Sequence, residues 1–327
     1  MIAVSSLLVL CLLLTGGGLL VFRSLFGRWD PETVLPVYAG PEGAEEITFP
    51  SGDNTLTGWV WQAEDPVGLL VLCHGYRGVG RDHLAEAAWF LNRGWTVLCY
   101  DGTGAGESQG SAVRGFDQFR LDLLAALDWA ETSPWKELPV VLYGHSAGGW
   151  AAATVLRDRP QVKGAVILSA FDTPVEVMYE TVRVGAGPLA VTGYPSLWAA
   201  EGLLFGKEAN RSAVDSINES GIPVLLVYGE TDEAVPSAAS LWGHREEVTS
   251  PAALWLTVSE EGRSGHSDLW FSPEGAAYRT EVAAAAEALA PADRESYLAG
   301  TDTARYWELD QHFMTVLDLF LRKCVKE

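Results

Sequence analysis

Short apolar runs alternate with longer amphipathic segments along most of this 327-residue chain. Runs at 69–73, 95–100, 139–143, 164–169, 222–228 and 253–258 are rich in Val, Leu and Ile and read as buried strands. Between them, 82–92, 116–131 and 147–157 read as helices. In the second of these, Phe119, Leu121, Leu123, Leu124, Leu127 and Trp129 recur near helical spacing and mark a core-facing side. Strands alternating with helices predict an α/β fold around a mostly parallel sheet. No internal repeat or low-complexity linker divides the chain, so one globular domain over 45–327 is expected, joined by a linker over 23–44. The alanine-rich stretch 283–290 is helix-prone and carries no evident chemistry.

Two segments break the alternation. Between Ala170 and Gly221, aromatic and aliphatic residues such as Phe171, Met178, Tyr194, Trp198 and Phe205 mix with polar ones. This region, 170–221, reads either as a lid over a site or as helices packed on the sheet edge. At the amino terminus, Ile2 to Phe22 contains no charged residue. As a helix it would span roughly 30 Å, enough for a bilayer core, so 1–22 reads as an uncleaved transmembrane anchor. A cleaved signal peptide is the competing reading, because Leu7 to Leu14 suits an h-region and small residues follow. Against cleavage, no Lys or Arg precedes the apolar run. Arg23 and Arg28 follow it, which places the domain on the cytoplasmic side of a single-pass protein.

The strand-like run 139–143 leads into Gly144-His145-Ser146-Ala147-Gly148, and a helix-like run follows. A strand, a tight turn carrying a serine and then a helix form a nucleophile elbow, where flanking glycines are needed for lack of space. A serine hydroxyl is a weak nucleophile at neutral pH, so a base must take its proton and a carboxylate must orient that base. The expected chain order is Ser, acid, His, each after a strand. After 222–228 come Glu230, Asp232 and Glu233, of which Asp232 is the expected acid and the glutamates its competitors. After 253–258 comes Gly265-His266-Ser267, which makes His266 the expected base, with His312 as runner-up. The developing oxyanion needs backbone donors. These are expected from Ala147, directly after the serine, and from Tyr76, in the loop His74-Gly75-Tyr76 after strand 69–73. His74 reads as a loop brace. The turn Asp101 to Ser108 lacks the dinucleotide-binding glycine spacing and reads as structural.

His74-Gly75, the Asp101–Ser108 turn, the Ser146 elbow, Gly229 to Pro236 and Gly265-His266 together resemble the α/β-hydrolases over roughly residues 45 to 325. The likeness is strongest to membrane-anchored serine hydrolases of the serine aminopeptidase-like or acyl-hydrolase-like kind. That resemblance implies an eight-stranded, mostly parallel sheet flanked by helices, with the site at the carboxyl ends of the strands. It also implies cleavage of esters, thioesters or amides. The chain departs from the pattern after His266, where about 60 residues stand in place of one closing helix.

Composition narrows the partners. A net charge of −21 excludes a phosphate-binding surface for nucleic acid and would repel anionic headgroups, leaving no second membrane contact. The six histidines are scattered without ligand spacing, so neither a metal nor another cofactor is expected. Cys73, Cys99 and Cys324 do not form a disulfide framework. The expected activity is hydrolysis of a carboxylic ester or thioester with a lipid-like acyl chain, through an acyl-enzyme on Ser146. A peptidase or amidase of the same fold, or a catalytically silent binding protein, stands as the alternative. Sequence leaves the oligomeric state open.

Overall fold

The structure, a computed structural model, describes residues 22–30, 36 and 38–326. The expected transmembrane segment lies outside the described residues except for Phe22. Among the described residues, no helix is long and apolar enough to cross a membrane.

Eight strands build one sheet: β1 (Glu45–Ser51), β2 (Asn54–Trp61), β3 (Gly68–Cys73), β4 (Trp95–Tyr100), β5 (Val140–His145), β6 (Gly164–Leu168), β7 (Val224–Gly229) and β8 (Ala253–Val258). Their order is β1-β2-β4-β3-β5-β6-β7-β8. From β4 to β8 every neighbour is parallel, as expected. The β1–β2 hairpin is antiparallel and adds to β4 antiparallel. Strands β5 and β7 begin after Pro139 and Pro223, which have no N–H to give to a ladder.

The alternating direction of side chains builds two cores. Leu69, Val71 and Leu142 point to one face with Trp150, and Leu70, Leu72 and Val141 to the other with Met314 and Leu317. Helices α1 (Leu84–Leu91), α2 (Phe116–Ala130) and α3 (Ala147–Val155) cover the sheet near the expected positions. The region 170–221 forms three helices: α4 (Pro174–Ala186), α5 (Tyr194–Phe205) and α6 (Ala213–Ser220). The Thr173 hydroxyl caps α4 by accepting from the Glu176 N–H, and Pro174 sits in its first turn, where a missing donor costs nothing. The Trp150 indole on α3 donates to the carbonyls of Asp172 (3.0 Å) and Arg211 (3.1 Å), pinning both ends of this region to the elbow helix. The stretch after His266 becomes α7 (Pro273–Ala288), α8 (Pro291–Ala299), α9 (Thr303–Tyr306) and α10 (Gln311–Lys326).

Residues 22–30, expected as anchor end and linker, pack on the domain. Phe22 to Leu25 make one helical turn, and Phe22 and Phe26 are buried. The Arg28 guanidinium donates to the carbonyls of Gly106, Ser108 and Gly110. The Trp29 N–H donates to Gly104 O at 2.8 Å.

Candidate active site

Ser146 stands between β5 and α3 with φ 56° and ψ −121°, a backbone state that costs a non-glycine residue about 1–3 kcal/mol. The packing explains why the strain persists. A Cβ at Gly148 would lie 2.2 Å from the Cys73 carbonyl oxygen, and one at Gly144 would lie 2.3 Å from Gly148 O. The two glycines let β5, α3 and the end of β3 approach closely enough to hold the serine in this turn. Because Cys73 pairs with Gly144 across the sheet, the loop after β3 is delivered beside Ser146.

Asp232, in the turn after β7, is held by its own neighbours: Oδ1 accepts from the N–H groups of Ala234 (3.0 Å) and Val235 (2.9 Å). His266 Nδ1–H donates to the same carboxylate, at 2.9 Å to Oδ2 and 3.0 Å to Oδ1. With Nδ1 committed, the neutral ring keeps its lone pair at Nε2. The competing acids fall elsewhere. Glu233 Oε2 accepts from the His266 backbone N–H at 3.2 Å, which braces the loop rather than the ring, and Glu230 is exposed. His312 is the exposed second residue of α10, outside the cavity that Ser146 and His266 line.

Ala147 is the first residue of α3, so its N–H points out of the helix end with no carbonyl of its own helix to reach. Tyr76 sits in the loop after β3, and its side chain lines the same cavity. The Tyr76 hydroxyl donates to the Leu25 carbonyl. His74 is buried behind this loop. Its Nε2 accepts from the Gly102 N–H (2.9 Å), so Nδ1–H donates to Gly75 O (2.9 Å), and the ring serves as the expected brace. Asp101 fixes the neighbouring turn by accepting from the N–H groups of Gly80 and Glu107, each at 2.8 Å.

Sequence reasoning missed His145. Its Nε2–H donates to the His266 backbone carbonyl at 2.9 Å, and the two rings lie 4.7 Å apart. Burial holds its pKa well below the ordinary histidine value, with the nearby His266 and His83 adding to the effect, so the ring is neutral. Behind it, His83 pairs with the buried Glu86 at 2.8 Å. The available signal was position: a histidine directly before the serine must sit under the elbow.

Ser146 and His266 open into a cavity of about 540 Å³, within the range of small-molecule sites. Its walls are Phe26, Tyr76 and Phe116 on one side, Phe171, Val177 and Met178 from the start of the 170–221 region, and Leu197 of α5. The 170–221 region therefore supplies one wall of the cavity. Phe22, Leu25 and Phe26, which fall in the expected anchor and linker, supply another wall. Among the described residues lining the cavity none is an Asp or Glu. Elsewhere, Asp172, Glu176 and His244 converge, but their polar groups are taken up within the protein: His244 bonds Glu247 and Glu176, and Asp172 accepts from Ser212 and Val214.

Comparison with known proteins agrees with this architecture. Residues 64–200 match the family described as Serine aminopeptidase, S33. The chain is 24% identical over 256 residues to YfhR of Escherichia coli K12, an uncharacterised protein, covering 74% of this chain and 80% of that one. It is 28% identical over 119 residues to the phospholipase YtpA of Bacillus subtilis, covering 34% of this chain and 43% of that one. The esterase Pf2001 of Pyrococcus furiosus shares the fold with a TM-score of 0.56 at 18% identity, over 74% of this chain and 91% of that one.

Proposed function

We propose that this hydrolase of the α/β-hydrolase superfamily is a membrane-anchored serine esterase that cleaves carboxylic esters or thioesters of lipid-like acyl chains. The observation that carries the reading is the cavity: large, apolar, and shared by Ser146 and His266. Such walls accept an alkyl chain at roughly 25 cal/mol per Å² of apolar surface removed from water.

In this reading Ser146 Oγ attacks the acyl carbonyl while His266 Nε2 takes its proton. Asp232 keeps Nδ1 protonated and stabilises the imidazolium that forms. The oxyanion is met by the backbone N–H groups of Tyr76 and Ala147, the latter at a helix N-terminus that favours negative charge. His266 then returns the proton to the leaving alcohol or thiol. Water, activated by the same ring, releases the acid from the acyl-enzyme.

An aminopeptidase of the same fold would need a carboxylate to hold the substrate's ammonium group. The absence of Asp and Glu among the described lining residues favours the ester reading over it. The charge-free run Ile2–Phe22 supports anchoring, and Arg23 and Arg28 after it support a cytoplasmic domain.

The test is hydrolysis of aryl esters of increasing acyl length by the full chain in detergent, with Ser146→Ala as control. Turnover that requires Ser146 and rises with chain length is the expected result. Turnover of peptides but not esters would replace the reading with the peptidase. A folded protein with no turnover dependent on Ser146 would leave the silent binding fold.

A further inference from the structure

Eight of the ten large apolar side chains that are exposed among the described residues sit either at Leu25 or between Val182 and Leu204. Scattered exposed apolar residues are ordinary in any protein; this concentration in one segment is a patch. Val184 is 76% exposed, Leu203 75% and Trp198 62%. From Val184 to Gly206 the only charged residue is Glu201, and it is fully buried. In a chain of net charge −21, this segment exposes apolar side chains and no charged one.

Two of these residues also border the cavity. Leu25 and Val182 both line it and are themselves 42% and 47% exposed. Leu25 is also three residues, roughly 5 Å of helix, beyond Phe22, where the charge-free amino-terminal run ends. The end of the charge-free run therefore lies beside the rim of the cavity.

We propose that the outer surface of the segment from Val182 to Leu204, led by Val184, Val191, Trp198 and Leu203 with Leu25, rests in the interface of an uncharged or zwitterionic bilayer, so that acyl substrates pass from the lipid into the cavity without crossing water. The proposal rests on the esterase reading for its substrate and reverses the sequence-based expectation that the domain makes no second membrane contact. Acidic residues elsewhere repel anionic headgroups, but none is exposed between Val184 and Gly206. Aromatic side chains such as Trp198 suit the headgroup level, where an apolar ring and a polar N–H are both satisfied. Glu201, pushed up to about 10 by burial against Asp117, carries no charge at neutral pH that would oppose the contact.

The experiment uses the full chain in phosphatidylcholine vesicles, in a Cys11→Ser background, with a fluorophore on Trp198→Cys, Leu203→Cys or, as control, Leu319→Cys. Leu319 is as exposed as Trp198 but lies on α10. Labels at 198 and 203 are expected to be quenched by phosphatidylcholine brominated in its acyl chains, and the label at 319 by iodide in the water. Quenching of all three by iodide alone would overturn the proposal. Protection of 198 and 203 from both quenchers would overturn it too, and would point to a second protein copy on the patch. A Trp198→Ser, Leu203→Ser variant should lose turnover of a long-chain ester carried in the vesicles and keep turnover of a short, soluble ester. Unchanged turnover of both would overturn the entry route. If neither ester is cleaved even by the unmodified chain, the esterase reading fails, while the quenching result still decides the membrane contact.

Discussion

The Tyr76 hydroxyl donates its hydrogen to the backbone carbonyl of Leu25, tying the loop proposed to bind the oxyanion to the segment that leads from the amino-terminal apolar run. The ring is packed against Phe26 and Phe116, at 5.4 and 5.6 Å between centroids. Tyr76→Phe keeps that packing and removes only the bond, a loss of about 0.5–1.5 kcal/mol for a typical hydrogen bond. The expected result is a several-fold fall in kcat on all esters, with a further rise in KM on long-chain ones as the Leu25 wall loosens. Steady-state kinetics on one short and one long ester separate the two effects. Unchanged parameters on both would show that the tie does not reach the site.

The pairing of His266 with Asp232 rather than with either glutamate makes a sharp prediction. Asp232→Asn leaves the size of the side chain intact but no longer holds Nδ1 protonated, so kcat should fall by about 10³–10⁴-fold. Glu230→Gln, at an exposed position of the same turn, should leave kcat unchanged. Glu233→Ala removes the acceptor from the His266 backbone N–H and should give a smaller loss than Asp232→Asn. Equal losses in Asp232→Asn and Glu233→Ala would mean that loop position, not ring orientation, limits the reaction.

The central parallel strands were legible because they are buried on both faces and their apolar runs end at prolines, glycines or polar turns, while the edge strand β8 was legible from its apolar run although it is only half buried. The β1–β2 hairpin was not: Glu45, Glu46 and Pro50 leave only Ile47 and Phe49 as inward apolar positions, and a short edge strand with charged outward positions reads as a polar loop. The carboxylate that bonds His266 was legible only to within one turn, since Glu230, Asp232 and Glu233 share a loop and only side-chain geometry separates them. Hydropathy also runs the charge-free stretch through Phe22 without marking that this residue belongs to the domain core. Phe22 is as apolar as the residues before it, but it packs into the domain, and an apolar run carries no mark where a protein core begins. For α5 the difficulty is similar. Its apolar residues surround the helix, which says that it is covered or roofs something but not which.

His145 should set part of the acid limit of stability. Its pKa in the fold lies well below the ordinary value of 6.5 because burial disfavours the imidazolium. As pH falls through 6.5 the unfolded chain takes up a proton that the folded chain refuses, so stability is lost on the acid side. His83 works in the opposite sense: its pKa is raised despite its burial, because Glu86 favours the charged ring, and its contribution is lost as pH rises. His145→Gln keeps a donor toward the His266 carbonyl and removes the titration. Thermal midpoints between pH 5 and 8 should therefore fall less steeply toward acid in the variant than in the native chain. Parallel curves would mean that His145 is not a significant source of the acid loss.

Glu201 predicts the reverse pH dependence in α5. The carboxyl is buried against Asp117 and pushed from 4.5 to about 10, chiefly by burial. Between those values the unfolded chain has released this proton and the folded chain still holds it, so stability falls as pH rises and levels off only above about 10. Glu201→Gln has nothing to ionise and can still donate to Asp117. Its thermal midpoint should exceed that of the native chain by more at pH 9 than at pH 5. An equal gain at both would assign the effect to packing.

The volume of the cavity should set the acyl length that is accepted. Val177 is buried on α4 with its side chain at the cavity wall, in the same lining as Ser146. Val177→Phe adds a ring where the cavity offers space, so the side chain can grow into the void instead of forcing the core apart. A chain long enough to reach that wall then meets the ring, whereas an acetyl or butyryl group bound at Ser146 does not. The expected outcome is a shift of the preferred acyl length toward shorter esters, with kcat/KM on the shortest ester unchanged and on the longest reduced by more than tenfold, about 1.4 kcal/mol. A uniform loss across the series would place Val177 against the reacting group, and no change would move the acyl channel to the opposite wall, along Phe26 and Phe116.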